Sequence, residues 1–206
     1  MPRATNRETE IKLPVADVEA LLPRLRELHA VCQGRVFEQN TLYDTPDSAL
    51  RSAGRLLRYR VVTPAGSRFF PPAAAGSLLT SKAPLAEKSA ANPNYKERLE
   101  REVVVPRGQN WPRILSLLGF RAGFRYEKYR TSFRLRGLHL DLDETAVGTF
   151  LELEGELKAI DRAAHALGFS AGDYIRGTYR DVYAADCRRR GLAATNMVFV
   201  RKKIGK

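Results

Sequence analysis

The sequence predicts an α+β protein: an eight-stranded antiparallel β-barrel that forms a tunnel with a charged lumen, with helices packed outside. Three observations predict this fold. Eight segments alternate with a period of two, as strands with two different faces do. In most of them the alternation is between apolar and charged residues. Eight antiparallel strands also suffice to close a barrel, which removes the sheet edges and turns one face inward.

The predicted strands follow one another along almost the whole chain. They span residues 6–13, 35–44, 55–63, 77–82, 94–105, 122–136, 138–143 and 148–157. Two connections between them are long. The segment 64–76 is rich in Pro, Ala and Gly and is expected to be a mobile loop, and the segment 83–94 is another long connection. Long loops at the ends of a barrel are common positions for lids.

Helices are predicted between the strands. After the first strand, an i, i+3, i+4, i+7 stripe of apolar residues predicts a helix, and Pro23 within it predicts a kink or a later start. Asn110 is positioned to cap a second helix, with Pro112 in its first turn and Gly119 after its end. Further helical regions are expected over 159–167 and, in pieces, over 171–190.

Length and charge limit the partners more than the fold. The 206 residues suit one domain with a short appendage, and a hydrophobic content of 44% suffices for a sizeable core. The net charge of +12 and the pI of about 10.0 are typical of proteins that bind nucleic acid, an anionic membrane surface or a phosphate-rich small molecule. No run of residues is apolar over the length that spans a bilayer.

The positive charge is concentrated at the C-terminus, where Asp186 is the one acid after residue 183. We therefore divide the chain into residues 1–183, the tunnel domain, and residues 184–206, a basic C-terminal tail. The tail is expected to be a solvated, frayed terminus. Two alternatives stay open. The tail could attach nucleic acid or polyphosphate, or residues 197–200 could pack as an extra strand or against a second subunit, as in a homodimer.

The cysteines and the N-terminus predict a cytoplasmic protein. Cys32 and Cys187 lie far apart and in no metal-ligand spacing, so free thiols in a reducing compartment are expected. The N-terminal residues lead into charge rather than into an apolar stretch, which predicts that no signal peptide is present. We expect no membrane partner.

The charged residues of the predicted strands share single faces. These faces are formed by Glu8, Glu10 and Lys12; Arg58 and Arg60; Lys96, Arg98, Glu100 and Glu102; Lys128, Arg130 and Arg134; Asp141 and Asp143; and Glu152, Glu154 and Glu156. A sheet with its charged face in water explains any one of these strands. Acidic and basic pairs, however, recur on different strands, which favours a charged lumen. Such an interior is unfavourable unless its charges pair, stay hydrated and bind an ionic ligand.

The residue types of the predicted lumen are those that phosphoryl or nucleotidyl transfer requires. Converging carboxylates provide hard oxygen ligands for Mg²⁺ or Mn²⁺. Lysines and arginines along the same wall match the charge of a polyphosphate. This chemistry depends mainly on positioning and on neutralisation of charge. The chain has no Gly-x-x-x-x-Gly-Lys-Ser/Thr motif, so a nucleotide would not be bound by a P-loop.

Short motifs follow one another in order along the chain. They are Glu8-Thr-Glu10-Ile-Lys12, Tyr43-Asp44-Thr45-Pro46, Leu57-Arg58-Tyr59-Arg60, Lys82, Arg98-Leu-Glu100-Arg-Glu102, Lys128-Tyr-Arg130, Asp143, Gly148-Thr-Phe150-Leu-Glu152-Leu-Glu154 and Thr178-Tyr179. This ordered set resembles the CYTH superfamily, also called triphosphate tunnel metalloenzymes, over about residues 6–183. The long 66–77 loop and the basic tail depart from the pattern of that superfamily.

The resemblance implies an eight-stranded antiparallel tunnel, dependence on Mg²⁺ or Mn²⁺, and a small-molecule triphosphate as substrate. It implies metal binding by Glu8, Glu10, Glu152 and Glu154, and phosphate binding by Lys12, Arg58, Arg60, Arg98, Lys128 and Arg130. It implies catalytic roles, including activation of water, for Glu100, Glu102 and Asp143, together with Lys82, which could also hold a phosphate. Spacing alone does not assign these separate roles.

Three functions stay open at this point. The first is hydrolysis of the terminal phosphate of a small triphosphate, namely inorganic tripolyphosphate, thiamine triphosphate or a nucleoside triphosphate. The second is a class IV adenylyl cyclase, in which the ribose 3′-hydroxyl attacks the α-phosphate of ATP to give cyclic AMP and pyrophosphate. Residues 118–128 resemble bacterial proteins that often carry that label. The third is a non-catalytic module that binds polyphosphate or nucleic acid, against which the number of carboxylates argues.

Aromatic and histidine side chains receive minor roles. Tyr43 and Tyr59 lie on strands of the predicted tunnel, so either is a candidate contact for a base or a thiazole, although packing is the favoured interpretation. His29, His139 and His165 show no metal-ligand spacing. For His139, which shares the parity of the acidic residues on its strand, a surface or core position is favoured.

Overall fold

The computed structural model describes residues 6–85, 95–107 and 109–200 and contains the closed antiparallel barrel that the sequence predicts. The strands are β1 (Asn6–Val15), β2 (Val31–Asp44), β3 (Leu56–Pro64), β4 (Gly76–Ala83), β5 (Lys96–Val104), β6 (Arg121–Leu135), β7 (Leu138–Thr145) and β8 (Gly148–Glu154). Their order around the barrel is β1-β5-β4-β3-β2-β6-β7-β8. Strand β1 closes the barrel because its first half pairs with β5 and its second half with β8.

The helices lie outside the barrel. They are α1 (Val18–Glu27), α2 (Ala49–Ser52), α3 (Trp111–Leu117), α4 (Leu157–Ala166) and α5 (Tyr179–Arg189), with a 3₁₀ turn at Ala171–Asp173. The predicted helices are confirmed, and Pro23 lies within α1 without breaking it. Asn110 caps α3 as predicted, by accepting a hydrogen bond from the backbone of Arg113. Helix α2 was not predicted, because its four residues carry no apolar stripe.

The main hydrophobic core lies between the outer face of the barrel and two helices. Leu13, Leu142 and Leu151 point outward from β1, β7 and β8 and are fully buried. Leu25 of α1 and Ile160 of α4 cover them. Full burial of one such side chain contributes about 1.5–3 kcal/mol relative to its exposure. The apolar face of the sheet is thus turned to the helices, which leaves the charged face for the lumen.

A second, aromatic core lies inside one end of the barrel. It contains Phe124, Tyr126, Phe150, Tyr179 and Met197. The first three share the strand faces that point into the lumen, and Tyr179 and Met197 come from α5 and the C-terminal segment. These side chains pack against one another, and Tyr126 and Tyr179 also line the charged cavity.

The C-terminal segment packs against β6, which corrects the expectation of a frayed tail. Strand β7 pairs with β6 only from Lys128 onward, so the earlier part of β6 lacks a neighbour on that side. There the backbone N–H of Glu127 donates to the carbonyl of Met197 at 2.9 Å, and the N–H of Met197 donates to the carbonyl of Arg125 at 3.0 Å. A segment that covers a strand edge in this way has a structural reason to be ordered.

The proposed domain boundary at residue 183 falls inside α5, which runs on to Arg189. Beyond the helix, Met197 is fully buried in the aromatic core. Residues 184–200 are therefore continuous with the barrel rather than a separate solvated appendage. The last basic residues, 201–206, lie outside the described residues.

The 64–76 connection, expected to be a mobile loop, packs on the start of β2. The N–H of Arg35 donates to the carbonyl of Pro71 at 2.7 Å, and the N–H of Ala73 donates to the carbonyl of Arg35 at 3.0 Å. Phe70 is buried against the core. Gly34 permits this contact, since it has a φ of +112° and a Cβ there would lie 2.8 Å from the side chain of Ala73. The other long connection, 83–94, falls mostly outside the described residues.

Both cysteines are free thiols, with Cys187 buried and Cys32 half-buried. None of the helices in the described part of the chain is both long enough and apolar enough to cross a membrane.

Substitution of Met197 tests whether the C-terminal segment is part of the folded domain. We expect Met197→Ala to lower the free energy of unfolding by about 2–5 kcal/mol, because it leaves a cavity in the aromatic core. Urea denaturation measures the change. Val200→Ala is the matched control, since Val200 is 94% exposed. Equal stability of the two variants would show that the segment does not stabilise the barrel in solution.

Candidate active site

The lumen holds a cavity of 470 Å³ whose wall carries nearly all the site residues expected from the sequence. The wall includes Glu8, Glu10, Lys12, Arg58, Arg60, Lys82, Arg98, Glu100, Glu102, Lys128, Arg130, Glu152 and Glu154. Asp143 is buried behind this wall and does not line the cavity. The structure thus brings the candidate metal-binding, phosphate-binding and catalytic side chains to one enclosed space.

Strand order separates the charges into two halves of the wall. The neighbouring strands β7, β8, β1 and β5 carry Asp141, Asp143, Glu152, Glu154, Glu8, Glu10, Glu100 and Glu102. The strands β4, β3 and β6, with β2 between the last two, carry Lys82, Arg58, Arg60, Lys128, Arg130 and Arg134. We call these the acidic wall and the basic wall. The strands of the acidic wall also carry Lys12, Lys96 and Arg98 at the cavity, so carboxylates predominate on one side of a ligand and cations on the other.

Two carboxylates face each other at the centre of the acidic wall. Glu10 of β1 is the direct cross-strand partner of Glu154 of β8. Glu10 forms an ion pair with Lys96, and although burial opposes ionisation, Lys96 lowers the pKa of Glu10 to about 2. Within the described residues the side chain of Glu154 makes no ion pair or hydrogen bond. Burial raises the pKa of Glu154, against the opposing effect of His139.

Lys82 links β4 to two carboxylates of the acidic wall. Its Nζ lies 2.6 Å from Oε2 of Glu8 and 3.2 Å from Oε2 of Glu100. Burial and the nearby Glu10 nevertheless raise the pKa of Glu8 to about 8. Lys82 thus bridges these two carboxylates, and Arg58 lies 3.9 Å from Oε1 of Glu100.

Arg130 of β6 contacts three carboxylates on the neighbouring strands β7 and β8. Its guanidinium lies 2.6 Å from Asp141, 2.5 Å from Asp143 and 2.5 Å from Glu152. Glu152 also accepts from Lys12 at 2.9 Å. Burial of so many charges is favourable only when each is paired in good geometry, which this network achieves.

Arg58 of β3 is held by side chains of β4, β5 and β6. Its Nη2 donates to Oγ1 of Thr80 at 3.1 Å and to Oε2 of Glu102 at 3.4 Å. Its Nη1 donates to the hydroxyl of Tyr126 at 3.4 Å. Glu102 also accepts from Thr80, at 2.7 Å. The position of this arginine is therefore fixed before any ligand binds.

Asp143 organises the deep end of the lumen from a fully buried position. It accepts from Lys128 at 2.7 Å and from the hydroxyl of Tyr179 at 2.6 Å. The ring of Tyr179 lies below Lys12 and Lys128, with ammonium-to-centroid distances of 4.4 and 4.9 Å. Burial and the charge of Asp143 hold the pKa of Tyr179 well above its usual range, so its hydroxyl remains a donor.

The acidic wall carries suitable donors for the metal that the resemblance implies. Carboxylate oxygens are the ligands that Mg²⁺ and Mn²⁺ prefer. Like charges directly opposite on two strands repel each other, and a cation near Glu10 and Glu154 would remove that repulsion. In the described part of the chain no three His, Cys, Asp or Glu side chains are gathered closely enough to hold an ion. Lysines now form ion pairs with several of these carboxylates. The carboxylates therefore fit a divalent ion once these lysines move.

The structure agrees with the favoured interpretation for the two tyrosines and differs from the expectation for His139. Tyr43 and Tyr59 do not line the lumen; they border a separate cavity on the outer surface of the barrel. The reason is strand alternation, which turns Tyr59 outward between Arg58 and Arg60. His139 instead lines the lumen, with Nε2 3.0 Å from Oδ1 of Asp141.

Several residues of the lumen received no role from the sequence. They are Glu38, Lys96, Tyr126, Asp141 and Tyr179. Asp141 and Lys96 shared the charged faces already recognised, so parity pointed to them. Glu38 lies in a stretch of β2 that is polar on both faces, where no alternation distinguishes the lumen from the outside.

Comparison with known proteins identifies the fold and a family. The model of the CYTH domain matches residues 6–179. Among curated proteins, none is similar enough to this chain to count as a match. Similar solved structures exist, and their identities are low enough that the likeness concerns the fold alone.

Three of these solved structures cover most of the chain. A candidate adenylate cyclase of Vibrio parahaemolyticus is 20% identical, with a TM-score of 0.70 and coverage of 88% of this chain and 99% of that chain. The PH1819 protein of Pyrococcus horikoshii OT3 is 20% identical, with a TM-score of 0.70 and coverage of 87% and 99%. The Hippeastrum protein HpAC1, a candidate adenylyl cyclase described as having a dominant triphosphatase activity, is 19% identical, with a TM-score of 0.54 and coverage of 90% and 97%.

Neutralisation of Glu154 is expected to stabilise the metal-free protein. The folded-state pKa of Glu154 lies above the ordinary 4.5, so its ionisation destabilises the folded state as the pH rises through that raised pKa. Glu154→Gln should increase the free energy of unfolding by up to about 1 kcal/mol at alkaline pH. The gain should vanish below pH 4.5, where the carboxyl is protonated in both states.

Urea denaturation across this pH range, in the presence of a chelator, measures the effect. Glu19→Gln serves as control, because Glu19 forms an exposed ion pair with Arg68 whose loss changes stability little. A Glu154→Gln variant that is less stable than wild type at alkaline pH would contradict the unfavourable ionisation of Glu154, which follows from its burial and from the nearby Glu100 and Asp141.

Proposed function

Since this chain belongs to the CYTH domain family, we propose that it is a divalent-metal-dependent enzyme that hydrolyses the terminal phosphate of a small triphosphate inside its tunnel. The observation that carries the proposal is the acidic wall facing the basic wall across a cavity of 470 Å³. A pure polyanion binder has no use for the carboxylates, and a pure cation binder has none for the arginines. A triphosphate with its metal needs both.

The basic wall would bind the phosphates. Arg58, Arg60 and Lys128 line the cavity and are already held in place by neighbouring side chains. Arg98 and Lys12 extend the set onto the acidic side, and Arg130 bridges the two. Cations that are oriented before binding lose little freedom when a phosphate arrives, which favours stabilisation of the charge that develops during the reaction.

The acidic wall would hold the metal through Glu8, Glu10, Glu152 and Glu154. When bound, Mg²⁺ or Mn²⁺ supplies neutralisation of phosphate charge and polarisation of a phosphoryl oxygen. Lys82, Lys96 and Lys12, which now neutralise three of these carboxylates, would be released toward the substrate. Each lysine thereby changes from partner of a carboxylate to partner of a phosphate.

Glu100 and Glu102 are the candidates to accept a proton from the attacking water. Both line the cavity at its partly open side, and Lys82 and Thr80 orient them. The water oxygen forms a bond to the terminal phosphorus as the bridging P–O bond breaks, and the carboxylate takes the proton. Orthophosphate and the shortened phosphate chain leave. Asp143 has no access to such a water, so we assign it the positioning of Lys128 and Arg130.

The aromatic content of the lumen supports a substrate recognised by its phosphates. Tyr126 and Tyr179 are the aromatic side chains that line the cavity in the described part of the chain. Their hydroxyls are engaged by Arg58 and Asp143, and both rings belong to the aromatic core. Neither offers a free face for stacking of a base.

A class IV adenylyl cyclase is the second candidate, supported by the fold shared with the Vibrio parahaemolyticus protein. The same walls could place the α-phosphate of ATP for attack by the ribose 3′-hydroxyl, with the adenosine outside the cavity. The Hippeastrum relative, described by its dominant triphosphatase activity, illustrates that one such fold can carry either label. Non-catalytic binding of polyphosphate or nucleic acid is the third.

Product analysis distinguishes the three functions. The protein is incubated at mildly alkaline pH with Mg²⁺ or Mn²⁺ and with tripolyphosphate, ATP or thiamine triphosphate in turn. We expect orthophosphate, with tripolyphosphate turned over at least as fast as ATP because the phosphates dominate recognition. A chelator should abolish the reaction. Pyrophosphate with cyclic AMP from ATP would identify a cyclase, and no turnover of any substrate would contradict an enzyme.

Arg98 permits a test of phosphate binding that leaves the folded protein undisturbed. It lines the cavity, and among the described residues it has no ion-pair partner. Arg98→Gln should therefore keep the stability of wild type while raising KM about tenfold, the effect of one lost charge-assisted contact. Steady-state kinetics and thermal denaturation measure both quantities.

The control for this variant is Arg101→Gln on the same strand, since Arg101 is exposed on the outside of the barrel. Its KM should equal that of wild type. Equal KM values for both variants would remove Arg98 from the phosphate site.

A further inference from the structure

A carboxylate is buried within the basic wall, where a phosphate site would be expected to have none. Glu38 of β2 is 2% exposed. Its Oε1 lies 2.9 Å from Nη1 of Arg60 and 4.0 Å from Nε of Arg130, and its Oε2 lies 3.6 Å from Nζ of Lys128. These three cations line the cavity, whereas Glu38 lies behind them. Glu38 would therefore act on a ligand through its neighbours.

The contacts of Glu38 are incomplete for a purely structural ion pair. Oε2 is buried and has no hydrogen-bond partner in the described part of the chain. A buried carboxylate oxygen without such a partner is unfavourable, so packing alone does not explain it. Burial opposes ionisation, yet Arg60, Lys128 and Arg130 hold the pKa of Glu38 well below its usual range. Its negative charge is therefore a permanent part of the basic wall.

That charge competes with phosphate for the same cations. Asp143 also pairs with Lys128 and Arg130, but without Glu38 the basic wall would lose one negative charge close to all three cations and would bind a polyphosphate more strongly. A site that binds substrate and product more tightly lowers KM but does not accelerate the reaction, and it delays release of the product.

We propose that Glu38 is a charge-balancing positioning residue, which spaces the three cations and limits their affinity for phosphate so that products can leave. The inference rests on the proposed function, because it assumes that the basic wall binds phosphates. It adds that the affinity of this wall is held below its maximum by one buried carboxylate.

The experiment compares Glu38→Gln, which keeps the shape and a hydrogen-bond acceptor for Arg60, with wild type. Glu144→Gln is the matched control, since Glu144 is a strand carboxylate paired with Arg35 at 2.6 Å outside the lumen. Calorimetric titration with tripolyphosphate in the presence of a chelator measures affinity without turnover. We expect Glu38→Gln to bind about tenfold more tightly, as expected for removal of a competing charge close to each cation, and Glu144→Gln to bind as wild type does.

Kinetics provide a second measurement that a structural role would not reproduce. With metal present, Glu38→Gln should lower both KM and kcat, whereas a loosened site would raise KM. Glu38→Asp keeps the charge but shortens the side chain by one methylene, so it should shift affinity in the same direction by a smaller factor. This graded variant also carries the test if Glu38→Gln does not fold.

The outcomes separate the two ideas. If the wild-type protein binds tripolyphosphate and Glu38→Gln binds it with equal or lower affinity, the role of Glu38 is overturned and the proposed function stays intact. Wild-type protein that does not bind tripolyphosphate at all would overturn the proposed function, and this inference with it.

Discussion

Closure of the barrel is the constraint on which the rest of the structure depends. Once the sheet is closed with its apolar face toward α1 and α4, every charged side chain on the other face is confined to one enclosed space. Ions in such a space are tolerated only with partners. The lumen meets this requirement internally, as the contacts of Lys82, Arg130 and Asp143 show. The network that keeps the folded state stable is therefore made of the same groups that would bind a ligand.

Under the proposed function, ligand binding in this lumen would be an exchange of partners rather than an addition of contacts. A phosphate would take a cation from a carboxylate, and a metal ion would take the carboxylate that has been left. Since both exchanges would replace one ion pair by another, the protein side chains have already lost their hydration during folding, and only the ligand and the metal ion would lose theirs on binding. Two groups are informative for the same reason: among the described residues Arg98 has no ion pair to lose, and Glu154 makes neither an ion pair nor a hydrogen bond.

The sequence was sufficient to predict the strands, the main helices and the charged lumen, because these follow from local periodicity. The site residues were within reach for the same reason, since parity places Glu8, Glu10 and Lys12 on one face. Strand order could not be predicted from local periodicity, because the pairing of β1 with both β5 and β8 joins residues far apart in sequence. Glu38 was not assigned to the lumen from the sequence, because its stretch of β2 is polar on both faces. The packing of the C-terminal segment was not predicted, because its partner is an edge of β6 that only the strand pairing reveals.

The aromatic core joins the C-terminal segment to side chains that line the charged cavity. Met197 packs beside Tyr126 in this core, and the hydroxyl of Tyr126 accepts from Arg58 at the cavity. A change in the packing of the C-terminal segment would therefore reach Arg58 through two neighbouring side chains, although the segment itself lies outside the charged cavity.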